Sequence, residues 1–169
     1  MLRFAVSLAC LTLSSVGAAF AGPMPALPDL PPLPSDYAPQ GQGGFYAGIL
    51  TGYVHGAEDG LGLSAVIGNT YPAADLLFGL EAQVLAATSG DLALEGLFRG
   101  GYALTDTLSV FAVAGAGYSI KTGTFLSVGA SLDADVGGGW LFRADYRYSH
   151  DLDGGPAGHK AMAGLLHTF

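Results

Sequence analysis

Trp140-Leu141-Phe142-Arg143-Ala144-Asp145-Tyr146-Arg147-Tyr148-Ser149-His150 alternates with a period of two. Trp140, Phe142, Ala144, Tyr146 and Tyr148 fall on one face, and Leu141, Arg143, Asp145, Arg147 and Ser149 on the other. Only an extended strand puts every second side chain on the same side. One face is greasy and aromatic, and the other charged. Upstream, Leu76 to Ala86 sets Leu76, Phe78, Leu80, Ala82 and Val84 against Gly79, Glu81 and Gln83. Thr124 to Val136 sets Leu126, Val128, Ala130 and Leu132 against Ser127, Gly129, Ser131, Asp133 and Asp135.

Turn residues divide the chain from Gly44 onward into eight such runs, at 44–55, 61–71, 76–88, 92–104, 108–121, 124–136, 139–150 and 159–169. The connections between them are short and rich in Gly, Asp, Pro and Thr, as hairpins require. Each run has about the 9–11 residues of a tilted membrane-crossing strand, or slightly more. An even number of hairpin-linked strands closes without a free edge, so the sequence predicts an all-β fold, an eight-stranded antiparallel up-and-down transmembrane β-barrel.

The membrane assignment rests on which face turns inward. A water-soluble barrel hides its apolar face, whereas a membrane barrel shows it to lipid. Only 12% of the residues are charged, too few to cover a water-facing surface. Aromatics gather near strand ends (Tyr53, Tyr71, Phe78, Tyr102, Tyr118, Phe125, Trp140, Tyr148), where interfacial girdles are expected. The alternative from another class is a secreted or periplasmic lipocalin-like barrel holding an apolar ligand.

Composition narrows the function classes further. The 169 residues include 27 Gly spread without a triplet period, which excludes collagen and disfavours helical bundles. A net charge of −8 removes the basic footprint of nucleic-acid binding. The Gly-x-Gly pairs lie inside strand runs and not on a strand-to-helix turn, so no dinucleotide cofactor is expected. His55, His150 and His159 fall near one rim, but no spacing matches a structural zinc site, and no metal is expected.

Two segments precede the barrel. Arg3 stands before an apolar run from Phe4 to Leu13, and Ala19-Phe20-Ala21 presents small residues where a signal peptidase reads. Residues 1–21 are therefore expected to be a cleaved Sec signal, carrying away the lone Cys10. Residues 22–43 hold seven of the nine prolines and are expected to form an extended periplasmic spacer, with 44–169 as the barrel.

The interior of an eight-stranded barrel is just wide enough for its own side chains, so inward charges need partners. Alternation places Glu81, Glu95, Asp133, Asp135 and Asp145 inside with Arg99, Lys121, Arg143 and Arg147. Turning strands 3 and 4 about Gly90 sets Glu81 opposite Arg99, and turning strands 6 and 7 about Gly138 sets Asp133 opposite Arg143. Asp145 and Arg147 continue the same inward face. These six, Glu81, Arg99, Asp133, Arg143, Asp145 and Arg147, are the lumen ion-pair candidates.

Three stretches carry a family resemblance. Gly44-Phe45-Tyr46-Ala47-Gly48-Ile49-Leu50-Thr51-Gly52-Tyr53 resembles the opening strand of small outer-membrane barrels of the OmpA-like and opacity/porin-like surface-antigen families. Tyr146-Arg147-Tyr148-Ser149 is similar to their seventh strand. Ala163-Gly164-Leu165-Leu166-His167-Thr168-Phe169 resembles their terminal strand, with His167 where an aromatic is usual. The resemblance covers 44–169, and the Pro-rich lead-in is similar to alphaproteobacterial members. It implies both termini in the periplasm of a Gram-negative cell, with outer-membrane lipids and lipopolysaccharide as surroundings. It also implies recognition of the C-terminal strand, through Phe169, by the outer-membrane assembly machinery. The implied function is structural, supporting envelope integrity, with narrow ion or small-solute permeation; the oligomeric state is left open. Arg147-Tyr148-Ser149-His150 also resembles a strand of the lipid A deacylases. Those enzymes carry a Ser two residues after the His, where this chain has Leu152, and Ser149 falls on the opposite face from His150. No enzyme activity, and no catalytic residue, is expected.

Overall fold

The computed structural model describes residues 43–56 and 59–169; the expected signal at 1–21 and residues 22–42 of the expected spacer lie outside the described residues. Among the described residues eight strands run in chain order: β1 (Gly44–His55), β2 (Gly60–Ala73), β3 (Leu76–Ala87), β4 (Leu92–Ala103), β5 (Leu108–Ser119), β6 (Gly123–Gly137), β7 (Trp140–Asp151) and β8 (Gly158–Thr168). Each pairs antiparallel with its sequence neighbours, and β1 pairs with β8 from Tyr46↔Thr168 to His55↔His159. The barrel is closed, so no strand edge is left for aggregation.

Two hairpins show how local residues fix the register. Between β6 and β7, Gly137, Gly138 and Gly139 all have positive φ, and the ladder shifts between Asp135 and Gly137. Three consecutive left-handed residues are tolerated there because none has a Cβ. Between β2 and β3, Pro72 and Ala73 continue the ladder opposite Leu77 and Leu76, so the expected four-residue turn contracts to Ala74-Asp75. Ala74 is left at φ 55, a conformation that costs a residue with a Cβ about 1–2 kcal/mol. Ala74→Gly relieves that strain at some cost in chain entropy. The net expectation is a gain of about 0.5–1 kcal/mol, read from the denaturant midpoint of the barrel in micelles. An unchanged or lower midpoint would contradict it.

The alternation seen in the sequence becomes a radial division. Ile49 (58% exposed), Leu61 (63%) and Leu80 (62%) typify an outer surface covered with bare aliphatic and aromatic side chains. Such a surface cannot sit in water without associating, whereas in hydrocarbon it is solvated. Tyr53, Tyr71, Phe78, Tyr102, Tyr118, Trp140 and Tyr148 all face outward near strand ends, as expected of girdles. Phe125 does not: it lies on the inward parity of β6 and is 6% exposed. The inside holds two small apolar clusters, one around Tyr46, Leu50, Val66 and Leu166, the other Leu77, Leu97, Phe111 and Val113. Between them lie buried charges. A lipocalin-like barrel needs the reverse arrangement, an apolar interior and a polar exterior, and this chain does not have it.

Candidate functional site: a charged lattice in the lumen

Among the described residues four carboxylates and four cations are buried on the inner wall and engage one another: Glu81, Glu95, Asp133 and Asp145 with Arg99, Arg143, Arg147 and Lys160. The three arginines are at most 1% exposed. Groups this dry survive only when charge and hydrogen-bonding capacity are both met.

The half nearer Gly44 and Phe169 is built on Arg143 and Arg99. Arg143 grips Asp133 with two parallel hydrogen bonds, Nε to Oδ1 at 2.7 Å and Nη2 to Oδ2 at 2.8 Å. Such a fork is the strongest geometry a guanidinium offers a carboxylate. Its remaining arm, Nη1, donates across the barrel to Glu81. Arg99 Nη2 donates to Asp133 Oδ2 at 3.0 Å and to Ser131 Oγ at 2.7 Å. The Tyr46 hydroxyl donates to Glu81 at 2.7 Å and accepts from Arg99 at 3.1 Å. Arg99 also stacks on the Phe111 ring at 4.1 Å, which packs its apolar face.

The other half centres on Arg147. Nε donates to Asp145 at 2.6 Å, Nη1 to Glu95 at 2.8 Å, and Nη2 to Gln83 Oε1. Lys160 Nζ donates to the same Glu95 oxygen at 2.7 Å and lies over the Phe125 ring at 4.9 Å. Ser127 donates to the second Glu95 oxygen. Phe125 is therefore an inner wall for a buried ammonium rather than a girdle residue.

All six sequence candidates are buried in this lattice. Asp133 stands opposite Arg143, as expected. Glu81 is not opposite Arg99: it pairs with Leu97, and Arg99 with Gly79. The β3–β4 hairpin pivots one residue earlier than Gly90, because the connection Thr88-Ser89-Gly90-Asp91 closes with Ala87 N–H donating to Asp91 O at 2.9 Å. A two-residue slip preserves parity, so both side chains stay inside and end 3.8 Å apart on a diagonal. Lys121 is not in the lumen either. It sits exposed in the β5–β6 turn and donates to Ser89 O at 2.6 Å. Asp135 is half-buried at the rim, where its Oδ1 accepts from Gly137 N–H at 2.7 Å.

Glu95, Lys160, Gln83 and Tyr46 complete the lattice and were not among the six candidates, although Glu95 was in the inward set. Parity on β8 could have found Lys160, since Lys160, Met162 and Leu166 share the inward face. Lys160→Met is expected to lower stability by about 1–3 kcal/mol, less than loss of an arginine, because Glu95 keeps Arg147. The check is chemical denaturation in micelles, and a loss equal to that of Arg147→Met would show that Lys160 is not secondary.

At the other end of the barrel, His55 Nδ1 meets Asp59 at 2.5 Å, and this hydrogen bond holds the Asp59 carboxyl below the usual carboxylate range. Any stabilisation from it is present above that range and lost as pH falls through the depressed value. His150 and Ser149 face opposite ways, His150 outward and Ser149 inward, so the arrangement offers no serine to a histidine base. Phe169 is 73% exposed at the opposite rim, its amide donating to Phe45 O at 3.0 Å.

No family model matches the chain, and no curated protein matches its sequence. Solved structures do match. A de novo designed transmembrane β-barrel is 16% identical with a TM-score of 0.53, over 74% of this chain and 94% of that one. Neisserial surface protein A matches at 15% identity and TM-score 0.51, over 74% and 97%. The attachment invasion locus protein Ail of Yersinia pestis matches at 16% identity and TM-score 0.51, over 75% and 97%. These likenesses establish the fold: a small eight-stranded transmembrane β-barrel of the kind found among outer-membrane proteins.

Proposed function

We propose that this chain is a structural component of a Gram-negative outer membrane, an integral barrel that supports envelope integrity and is closed to solutes at rest. The observation that carries this reading is the lattice of four carboxylates and four cations across the lumen. A pore needs a continuous water file. Two spaces open towards the two ends, about 90 Å³ at the end carrying His55 and Asp151 and about 20 Å³ at the end carrying Gly44 and Thr168, with paired charges between. Charges serve this purpose better than apolar residues would, because hydrogen-bonded pairs on different strands fix the register of a barrel whose outer face is uniformly greasy. The barrel sits among phospholipid and lipopolysaccharide, follows a cleaved signal at 1–21 and a periplasmic spacer at 22–43, keeps both termini in the periplasm, and is inserted through recognition of the strand ending in Phe169.

Narrow ion permeation is the second reading, favoured by the shared carboxylates. Glu81 lies within reach of both Arg143 and Arg99, and Asp133 bonds both. A carboxylate can exchange arginines without passing through an unpaired state. Membrane fractionation with gel mobility before and after boiling tests the first reading. A compact band that slows on heating is expected in the outer-membrane fraction; a soluble periplasmic protein of one mobility would refute it. For the second, Glu81→Ala is expected to raise planar-bilayer conductance over a nearly silent wild type. If conductance and stability both stay unchanged, the lattice has no gating role.

A further inference from the structure

Among the described residues nine charged side chains are buried, and eight of them form the lattice. The ninth is Asp151, the last residue of β7, 5% exposed. Its Oδ1 accepts from the Asp153 amide at 2.7 Å, but its Oδ2 has no hydrogen-bond partner, and no cation among the described residues pairs with it. One step deeper on the same inward face, the Ser149 hydroxyl is likewise buried without a partner. Buried carboxylates are ordinarily matched by a cation, and an unmatched one is a marked exception.

Both residues line the vestibule at the His55 end of the barrel, a cavity of about 90 Å³. That far exceeds the roughly 10–15 Å³ that one water needs. Its lining mixes apolar side chains, Val54, Leu85, Ala93 and Phe125, with polar ones that include Ser149 and Asp151. Asp91 and Asp151 outnumber Lys121 among the charges at its mouth, while Lys160 on its floor is already taken by Glu95. Apolar walls with a few polar groups suit a ligand, and a volume of about 90 Å³, well under the several hundred Å³ of ordinary ligand pockets, limits it to a few heavy atoms. The sign of the unmet charge makes the ligand cationic. The described residues hold no cluster of three metal-ligating side chains, so a bare metal ion lacks its donors.

We propose that the vestibule binds a small organic cation, a primary ammonium on a short hydrocarbon chain, with Asp151 as its counter-ion and Ser149 as a second acceptor. The hydrocarbon lies along the Val54, Leu85 and Phe125 wall. Gly155 lies against Oδ2, where a Cβ would come within 2.5 Å of it, so contact with the ligand requires a small local displacement around Asp151.

Amide NMR of the protein in detergent micelles, titrated with n-butylammonium chloride, tests this. Saturable shifts at Ser149, Asp151 and Gly155 are expected, with neither 1-butanol nor sodium butyrate reproducing them. Asp151→Asn keeps an acceptor for the Asp153 amide and is expected to weaken butylammonium binding about tenfold or more, through loss of a charge-assisted hydrogen bond. The contrast between ammonium, alcohol and carboxylate on the wild-type barrel needs no variant to fold. Non-saturating shifts, an equal response to 1-butanol, or unchanged affinity in Asp151→Asn would each overturn the proposal. None of these outcomes bears on whether the barrel is a structural membrane protein.

Discussion

Arg143→Met is expected to destabilise the barrel by about 3–5 kcal/mol, the cost of breaking a buried ion pair from one side. The side chain is fully enclosed and makes three charge-assisted hydrogen bonds, two to Asp133 and one to Glu81. Methionine fills a similar volume, so the loss reports charge and hydrogen bonding more than packing. Two carboxylates are left behind: Asp133 retains Arg99, while Glu81 retains Tyr46 and a longer approach to Arg99. Arg143→Lys is expected to fall between, since an ammonium keeps the charge but cannot form the fork to Asp133. Asp133→Asn combined with Arg143→Met is expected to cost less than the two single losses added together, because the second change removes the charge that the first has stranded. The measurement is denaturant unfolding in micelles, with gel mobility confirming that each variant reaches the barrel state. A loss below about 1 kcal/mol for Arg143→Met would mean that water enters and replaces the lattice, and the closed lumen would have to be given up.

How far this site was legible depended on the distance over which the chain had to be read. Faces were legible because strand alternation is a local rule, and Arg143, Asp145 and Arg147 stand on one parity with aromatics on the other. The Asp133–Arg143 pair was legible because its hairpin pivots at a run of glycines that tolerates positive φ. The Glu81–Arg99 pairing failed because the bond from Ala87 to Asp91 closes a connection, Thr88 to Asp91, whose pivot composition does not reveal. The bond from Arg143 to Glu81 had no local signal at all. It joins β7 to β3 across the lumen, and only the closure of the barrel brings the two strands face to face. Lys160 was missed for a different reason: β8 carries small residues on both faces, so alternation there has little contrast. Asp151 lay one residue beyond the expected end of its strand and read as part of a loop, although the ladder continues to it opposite Phe125. Charges at strand ends are thus where sequence reasoning loses the distinction between lumen and solvent.

Gly129→Ala is expected to cost about 3 kcal/mol, the upper end of overpacking penalties, although it adds a single methyl group. The contacts explain why. A Cβ at Gly129 would lie 2.0 Å from the Tyr146 carbonyl oxygen and 2.8 Å from the Arg147 Cα, both backbone atoms of the neighbouring strand. A flexible side chain could swing away, but the β6–β7 ladder can yield only by separating. Gly129 is directly opposite Arg147, so any separation also moves the guanidinium that bridges Asp145 and Glu95. Lumen glycine here is a spacing requirement of the lattice and not a loose point in the strand. Gly96 supplies the control. It faces outward on β4, and a Cβ there meets nothing within 4 Å. Gly96→Ala is therefore expected to be neutral or to stabilise by up to about 1 kcal/mol, through a less flexible unfolded chain. Denaturant midpoints of the two variants in the same detergent decide the matter. Equal midpoints would show that the inner strands tolerate a methyl group, and that close backbone approach does not hold Arg147 in place; a wide gap between them ties the glycine content of the chain to the charged lattice it encloses.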